Sequence, residues 1–401
     1  MSKPILNCDA AVLGGGPAGL IAALALAHAG TNAVLLAPRP SHADRRTTAL
    51  LGASVDILRA LGIWESIFGK AAPLERLRLA DGTRRLIRTP EVTFDASEIG
   101  LEAFGYNIEN ETLLSVLREA LGRYENLRVL ERSAARVETT EERARLVLDD
   151  GGEIETQLVV AADGRNSLCR ASAGIRTTKR ALPQTALALN LCHTRPHKNT
   201  STEFHIESGP FTLVPLPGLR SSLVWVCTTR DAERVRTASD AELAREIEAK
   251  SHSLLGEIAL DGPRGIFPLG IEIAEKFAAN RIALVGEAGH VIPPIGAQGL
   301  NLGIRDANAI AELVAVAVAE GRDPGGSDVM EAYDFTRRGD VRARAVAVEA
   351  LGRSLLSGFL PVHMARGLGL EIASRVPFLR RGLMRGGLGG SLSARERSEI
   401  A

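Results

Sequence analysis

The amino-acid sequence predicts an α/β protein in which a nucleotide-binding domain is interleaved with a β-sheet domain and followed by C-terminal helices. Three observations lead to this prediction. A strand, glycine turn, helix and second strand occupy residues 9–36, a β-rich stretch follows at residues 183–230, and the α/β pattern resumes at residues 281–320. Since no low-complexity linker separates these stretches, we expect interleaved rather than consecutive domains.

The composition is that of an ordinary globular protein. Of the 401 residues, 45% are hydrophobic and 24% are charged, and the chain is long enough for more than one domain. Lys plus Arg equals Asp plus Glu at 48 each, so net charge does not favour a nucleic-acid partner. Residues 1–8 are too short and too polar for a signal peptide, and no run of about 18 apolar residues predicts a membrane span.

The cysteines argue against a zinc site or a disulfide framework. They are far apart and form no CxxC pair, a pattern that suits a reducing cytoplasm: Cys8, Cys169, Cys192 and Cys227. His193 and His197 lie near Cys192, but a strand puts adjacent side chains on opposite faces and no fourth ligand is near. We therefore predict no metal.

The N-terminal segment predicts a βαβ unit. An apolar strand at residues 10–13 leads into a glycine turn at residues 14–16, an Ala/Leu helix at residues 18–29 and a second strand at residues 32–36. The turn and the start of the helix read Gly14-Gly15-Gly16-Pro17-Ala18-Gly19, a GxGxxG sequence. In such a turn the glycines let the backbone approach a pyrophosphate, which the helix N-terminus attracts. An ordinary glycine turn is the alternative.

Later elements follow from local patterns. We predict a helix at residues 47–62, a helix capped by Asn110, and strands within residues 127–160 joined by a hairpin at residues 149–152. Ser239 and Glu242 fit a capping box at the start of a helix. A strand at residues 281–285 and a helix at about residues 299–320 complete the α/β pattern, and the last sixty residues are predicted to be helical and basic.

Two further strand ends carry acids. Asp163-Gly164 follows an apolar strand and, taken alone, reads as a turn. Glu287 follows Gly286 at the end of another apolar strand, before a run rich in glycine and proline, and by itself is compatible with an exposed acid. The end of the second strand lacks the acid that usually binds ribose hydroxyls, because Ala37 occupies that place.

Taken together, these motifs resemble the class A flavoprotein monooxygenases, and in detail the ubiquinone-biosynthesis hydroxylases. Residues 46–50 (RTTAL) and 105–110 (GYNIEN) match two segments of that family. Its FAD-ribityl motif is matched by residues 286–290 (GEAGH), 294–303 (PIGAQGLNLG) and 305–306 (RD). The resemblance runs from about residue 9 to residue 390 and implies a fold like that of p-hydroxybenzoate hydroxylase.

The resemblance implies FAD as cofactor, with contacts from three motif regions and two intervening residues. The implied FAD-binding residues are Gly14, Gly16, Pro17, Ala18, Gly19, Arg46, Asn110, Asp163, Gly164, Gly286, Glu287, Gly296, Ala297, Gln298, Gly299, Leu300 and Asn301. Two of them depart from the family. Glu287 replaces an Asp, and Ala297 stands where the family has a Gly, so a positive φ there would be strained.

The implied domains are discontinuous. Residues 1–75, 100–182 and 269–340 are expected to bind FAD, residues 76–99 and 183–268 to form the β-sheet substrate domain, and residues 341–401 a C-terminal helical region. Candidate walls of a substrate pocket are Phe211, Leu213, Trp225, Phe267, Pro268 and Pro294. Their alternative role is core packing. His290 is the one candidate acid or base, with a structural role as its alternative.

The resemblance further implies the reaction. NAD(P)H reduces FAD, O2 forms a flavin C4a-hydroperoxide, and the aromatic ring of a polyprenylated phenol is hydroxylated in ubiquinone biosynthesis. Other proteins of that pathway are the implied partners. The alternatives are a flavin hydroxylase of a small soluble phenol and a non-catalytic, FAD-holding member of a biosynthetic complex. A basic amphipathic segment near the C-terminus suits an anionic membrane surface, and a helix pair that packs on the FAD-binding domain is its alternative. We expect a cytoplasmic protein, with the inner face of the membrane as the place of any contact.

Overall fold

The computed structural model describes residues 5–38, 44–83, 90–294, 296–356 and 376–387. Strands and helices are numbered in chain order. The strands are β1 (Leu6–Leu13), β2 (Ala33–Leu36), β3 (Thr47–Leu51), β4 (Ala72–Pro73), β5 (Arg76–Asp81), β6 (Val92–Asp95), β7 (Gly105–Glu109), β8 (Leu127–Leu130), β9 (Ala134–Thr139), β10 (Ala144–Leu148), β11 (Glu153–Ala161), β12 (Thr177–His193), β13 (Thr200–Ile206), β14 (Gly209–Leu216), β15 (Arg220–Thr228), β16 (Ile258–Leu260), β17 (Gly265–Ala274), β18 (Ala278–Ala279), β19 (Ile282–Leu284) and β20 (His290–Val291).

The helices alternate with these strands. They are α1 (Pro17–His28), α2 (Gly52–Ala60), α3 (Trp64–Phe68), α4 (Asn110–Leu121), α5 (Leu168–Ser172), α6 (Thr229–Thr237), α7 (Asp240–Lys250), α8 (Gln298–Ala319), α9 (Ser327–Leu356) and α10 (Pro377–Gly387), with short 3-10 helices at Ala96–Ile99 and Gly286–Ala288.

The first sheet has the strand order β18-β19-β11-β1-β2-β8, with the β9–β10 hairpin attached to β11. Its central strands are parallel, from β19 through β11, β1 and β2 to β8. Both faces are covered. Ala10 and Val12 of β1 pack into the cluster that contains α1, α4 and α8, while Ala11 and Leu13 pack into the cluster on the other face. A parallel strand buried on both faces reads as a continuous apolar run, as residues 10–13 do.

The large sheet has the order β20-β17-β12-β15-β14-β13-β5-β6, with β16 paired to β12. One of its faces packs against α6 and α7 around a core that includes Leu223, Trp225, Val235 and Leu243. A small sheet with the order β3-β7-β4 is hydrogen-bonded to the large sheet through Thr47 of β3 and Asn107 of β7. Since β5 and β6 come from residues 76–95 and the other strands from residues 177–291, the large sheet gathers chain from both sides of the segment that contains β7–β11. The domain boundaries given above remain predictions.

Most predicted elements are confirmed. The βαβ unit, the hairpin at residues 149–152, the capping box of Ser239 and Glu242, and the pair β19–α8 all lie where the sequence placed them. The helix predicted at residues 47–62 is wrong in its first turn, because residues 47–51 form β3, which pairs with β7. Asn110 begins α4 without capping it, since its amide is used by Thr48 and Asp44 instead.

Two global properties complete the description. All four cysteines are free thiols, of which Cys192 is exposed and the other three are buried. Among the residues that the structure describes, no helix has the length and apolar character needed to cross a membrane. Of the basic C-terminal segment, residues 357–375 lie outside the described residues.

Candidate active site

The glycine turn between β1 and α1 combines tight packing with one open position. Gly14 has a φ of +127°, and a Cβ atom there would lie 2.0 Å from the Ala162 carbonyl oxygen. A Cβ on Gly19 would lie 2.1 Å from the Gly14 carbonyl oxygen. Around Gly16, in contrast, no described atom lies within 4 Å of the place where a Cβ would stand. The turn is therefore closely packed against backbone at Gly14 and Gly19 and open at Gly16.

Helix α1 directs its first turn at this open position. Gly16 is its N-cap, Pro17 stands in the first turn, and no side chain of the described residues caps its free N–H groups. Ala18 lies close to the Glu287 motif, because its Cβ is 3.2 Å from the place where a Cβ on Gly286 would stand. Uncapped N–H groups at a helix N-terminus form an anion site.

The Asp163-Gly164 loop follows β11, next to β1 in the first sheet. One carboxylate oxygen of Asp163 accepts from the Cys169 N–H at 3.1 Å, whereas the other is buried and has no partner among the described residues. Arg170 joins this loop to the next motif, since it donates to the carbonyl oxygens of Arg165 and Ala288, each at 2.8 Å. The free Asp163 oxygen is thus a buried acceptor available to a ligand.

The backbone beside Glu287 is held by a buried network of charged and polar groups centred on Asp306. Asp306 of α8 is fully buried and accepts from the Gly286 N–H at 2.9 Å, the His290 ring at 2.7 Å and the Arg337 guanidinium at 2.6 Å. Burial alone would raise the pKa of Asp306, but Arg337 and His290 outweigh it and lower that pKa. We therefore assign His290, itself 2% exposed, to holding this loop rather than to proton transfer. Glu287 remains exposed beside the network.

The start of α8 is fixed by Asn301. Its amide nitrogen donates to the carbonyl oxygens of Ala49 and Ala297 at 2.7 and 2.6 Å, and its oxygen accepts from the Leu51 N–H and the Ser54 hydroxyl at 2.9 and 2.6 Å. Ala297, the N-cap, has φ +54° and ψ +34°, so this departure from glycine lies in the strained left-handed region. The sequence prediction of strain is confirmed.

The other residues of this motif have distinct surroundings. Gln298 donates to the Gly296 carbonyl oxygen and accepts from Arg344 of α9, both at 3.0 Å. Gly299 lies in the first turn of α8 with open space at its Cβ position, and Leu300 packs against the main core. The N-terminal N–H groups of α8 are uncapped by side chains of the described residues, as in α1.

Arg46 and Asn110 meet at Asp44, which the sequence did not single out. Arg46 donates twice to the Asp44 carboxylate, at 2.8 and 2.7 Å, and Asn110 donates at 2.9 Å. Burial would raise the pKa of Asp44, but these hydrogen bonds lower it. The hydrogen bonds to Asp44 raise the pKa of Arg46, and the charge of Glu287 acts in the same direction. Arg46 also lies over the Phe267 ring, 5.5 Å from its centre.

The large sheet turns one face to these residues. Ser222 of β15 bonds Thr47 of β3 at 2.9 Å, which fixes this inner face next to the start of α8. Side chains alternate along a strand, so Val224 lies on the inner face, beside Ala188 and Thr212 of the paired strands. Val224, Ala188 and Thr212 are partly exposed. Val224 and Ala188 form, with Val214 and Phe267, an apolar surface opposite the FAD motifs.

Three predicted pocket residues lie on the wrong face. Phe211, Leu213 and Trp225 alternate with the inner residues and are buried in the core that packs against α6 and α7. We therefore remove them from the candidate pocket. Phe267 stays in it because of its contact with Arg46, and Pro268 and Pro294 are exposed and stay candidates.

These surroundings fit FAD. The open Gly16 turn and the uncapped N-terminus of α1 suit the pyrophosphate, the unpartnered Asp163 oxygen is a ready acceptor, and Glu287 lies exposed beside the turn into α8. Ala37, with only a methyl group, offers no ribose hydrogen bond at the end of β2. A bound FAD would carry the redox chemistry, while the protein holds and orients it.

Comparison with known proteins decides the family. Residues 7–348 match the family described as FAD binding domain. The chain is 31% identical over 390 residues to the ubiquinone hydroxylase UbiL of Rhodospirillum rubrum, covering 95% of this chain and 89% of the relative. It is 29% identical over 391 residues to the 3-demethoxyubiquinol 3-hydroxylase of Escherichia coli, covering 95% and 98%.

The chain belongs to the FAD-dependent ubiquinone-hydroxylase family. Its membership makes it a flavoprotein monooxygenase, as the sequence predicted. The fold agrees, because the crystal structure of the p-nitrophenol 4-monooxygenase PnpA from Pseudomonas putida superposes with a TM-score of 0.80 at 19% identity, covering 97% of this chain and all of the other.

Proposed function

We propose that this monooxygenase uses NAD(P)H and O2 to hydroxylate the aromatic ring of a polyprenylated phenol in ubiquinone biosynthesis. The observation that carries the proposal is the partly exposed apolar surface of Val224, Ala188, Val214 and Phe267, which faces the FAD motifs. The names of the relatives support the choice of substrate class. FAD, reduced by NAD(P)H, supplies the activation of O2.

The residues of this chain have positioning roles in the proposal. The α1 turn, Arg46 and Asp163 hold the nucleotide half of FAD. Glu287 accepts from ribityl hydroxyls, and the N-terminus of α8 directs its N–H groups at the flavin edge that becomes negative on reduction. The inner face of the large sheet covers the ring of the phenol and excludes water from it.

The test follows NAD(P)H consumption by the FAD-loaded protein with and without a short-chain prenylphenol, and determines the mass of the product. We expect substrate-dependent consumption and a product heavier by one oxygen atom. Faster turnover of the same phenol without its prenyl chain would favour a hydroxylase of small soluble phenols. Bound FAD with no oxygenated product from either compound would favour the non-catalytic alternative.

We further propose that the C-terminal helix touches a membrane surface from which the prenylated substrate is drawn. Met384 anchors α10 in a small cluster with Ala96 and Phe104, while the first turns of the helix leave Phe378 84% exposed and Arg381 exposed as well. Apolar and basic side chains on one exposed surface suit an anionic bilayer. Flotation with anionic vesicles tests this contact, and we expect Phe378→Ser to reduce the bound fraction.

A further inference from the structure

A second cleft opens on the outer face of the large sheet, the face turned away from the FAD motifs. Its volume is about 430 Å3, which is in the range of small-molecule sites. Its lining is basic, with Arg76 and Arg78 from β5 and Arg195 and Lys198 from the loop between β12 and β13. None of the described residues that line it is acidic.

The strand register produces an ordered array of donors. Strand β13 pairs in parallel with β5, so that Thr200 lies beside Arg76 and Thr202 beside Arg78. All four line the cleft because residues two apart on a strand share a face. The floor therefore alternates guanidinium and hydroxyl groups, and Ser221 adds a further hydroxyl to the lining.

His197 does not add to the charge. Its Nδ1 accepts from the Asn199 N–H at 3.1 Å, so the proton is on Nε2, which donates to the Leu216 carbonyl oxygen at 3.0 Å. The ring is neutral in this arrangement and holds the loop that carries Arg195 and Lys198. Four basic side chains therefore line the cleft, and two of them, Arg76 and Arg78, also have carboxylates nearby.

The two arginines of the floor are incompletely paired. The Arg76 Nε lies 3.8 Å from Asp95 and its Nη2 3.6 Å from Glu75, while the Arg78 Nε lies 3.5 Å from Glu91. Both Nε atoms are buried, and neither has a hydrogen-bond partner among the described residues. The two side chains as a whole are 38% and 29% exposed, so their outer N–H groups are accessible to an anion in the cleft.

From this array we propose that the outer cleft binds a phosphate ester. A phosphate group offers several oxygens to guanidinium forks and hydroxyl donors at once, which a single carboxylate does not. Leu213, Leu254 and Leu255 form an apolar wall beside the donors, so the esterified group has a short apolar part. The site is separate from the FAD turn, because it lies on the other face of the large sheet.

Calorimetric titration of the FAD-loaded protein with inorganic phosphate and with glycerol 3-phosphate, at constant ionic strength, tests the proposal. Loading with FAD fills the pyrophosphate turn, so the heat comes from other sites. We expect saturable binding of one ligand per chain, weakened about tenfold or more by Arg76→Gln with Arg78→Gln. The milder substitution Thr202→Val is expected to weaken binding severalfold, and it replaces the double variant as the test if that variant does not fold.

A matched control removes two arginines elsewhere. Arg136→Gln with Arg145→Gln takes the same charge from exposed positions on β9 and β10, and binding should remain as in the wild type. Absence of saturable binding, or equal affinity in all variants, would overturn the proposal. The phosphate ester is either a lipid headgroup or a soluble compound, and vesicle flotation with and without phosphatidic acid distinguishes the two. Loss of lipid binding in the double variant identifies a lipid headgroup, and unchanged flotation with lost phosphate binding identifies a soluble ester.

Discussion

Gly16 is the residue at which the FAD site and the fold can be tested separately. A methyl group there meets no described atom, but it stands where the pyrophosphate is expected to approach. We expect Gly16→Ala to fold with an unchanged urea midpoint and to lose FAD affinity about tenfold or more. Gly14→Ala is the contrast, since its methyl group would collide with the Ala162 carbonyl and should prevent folding. Equal FAD affinity of Gly16→Ala and wild type would argue against this position as the cradle.

Ala297 carries backbone strain that a single substitution can remove. An L-residue in the left-handed region is strained by about 1–2 kcal/mol, and glycine would remove this strain. Glycine also increases the entropy of the unfolded chain, which offsets up to about 1 kcal/mol of that gain in stability. We therefore expect Ala297→Gly to raise the free energy of unfolding by about 0.5–1 kcal/mol in urea titrations. Ala315→Gly, at an interior position of α8, should lower it by a similar amount. A loss of stability in both variants would contradict strain at position 297.

The sequence was most informative about single residues with a backbone role. The spacing of residues 14–19 and 286–303 predicted the turns and the strain at Ala297. The alternation of Phe211, Leu213 and Trp225 was interpreted as a pocket wall, with core packing as the alternative, because a period of two does not show which face of the sheet they share. Only α6 and α7, packed on one side, decide it.

At the scale of elements, Asn301 links α8 to β3 and α2. Replacing it with Ala leaves four backbone or hydroxyl groups without their partner, and each buried unpaired group costs about 1–3 kcal/mol. We expect Asn301→Ala to lower the urea midpoint clearly and to release FAD more readily, as measured by flavin fluorescence. Asn308→Ala on the same helix loses one exposed hydrogen bond, to Glu312, and should change neither quantity. Similar effects of the two variants would refute the linking role.

Contacts between elements that are distant along the chain could not be predicted from the sequence. Asp306 was visible in the third motif, but its partner Arg337 is 31 positions away on α9, and no local pattern joins them. The same holds for Asp44, which lies outside the matched segment and gains its role only when β3 and α4 bring Arg46 and Asn110 together. Local periodicity predicts elements, whereas tertiary packing selects which polar side chains meet.

At the scale of the whole molecule, the two faces of the large sheet have different roles, since one packs in the core and the other faces the FAD motifs. Leu223 and Val224 are neighbours in sequence, yet the first is fully buried against α6 and α7 and the second faces the FAD motifs. We expect Val224→Trp to raise the KM for the phenol about tenfold at little loss of stability. Leu223→Ala should lower the free energy of unfolding by about 2–5 kcal/mol and leave KM unchanged. Steady-state kinetics and urea titration of both variants check this, and an unchanged KM in Val224→Trp would remove the inner face from the substrate site.

The unequal burial of the four cysteines makes the native protein suitable for site-specific fluorescent labelling. Burial raises the pKa of the Cys8 and Cys227 thiols to about 11, and Cys169 is fully enclosed, so these three stay protonated and inaccessible at neutral pH. Cys192, exposed at the end of β12, should react alone with a maleimide dye. Thiol titration should count one fast-reacting group in the folded chain and all four in denaturant. A dye at the end of this central strand would then report, without any engineered cysteine, on movements of the large sheet during turnover.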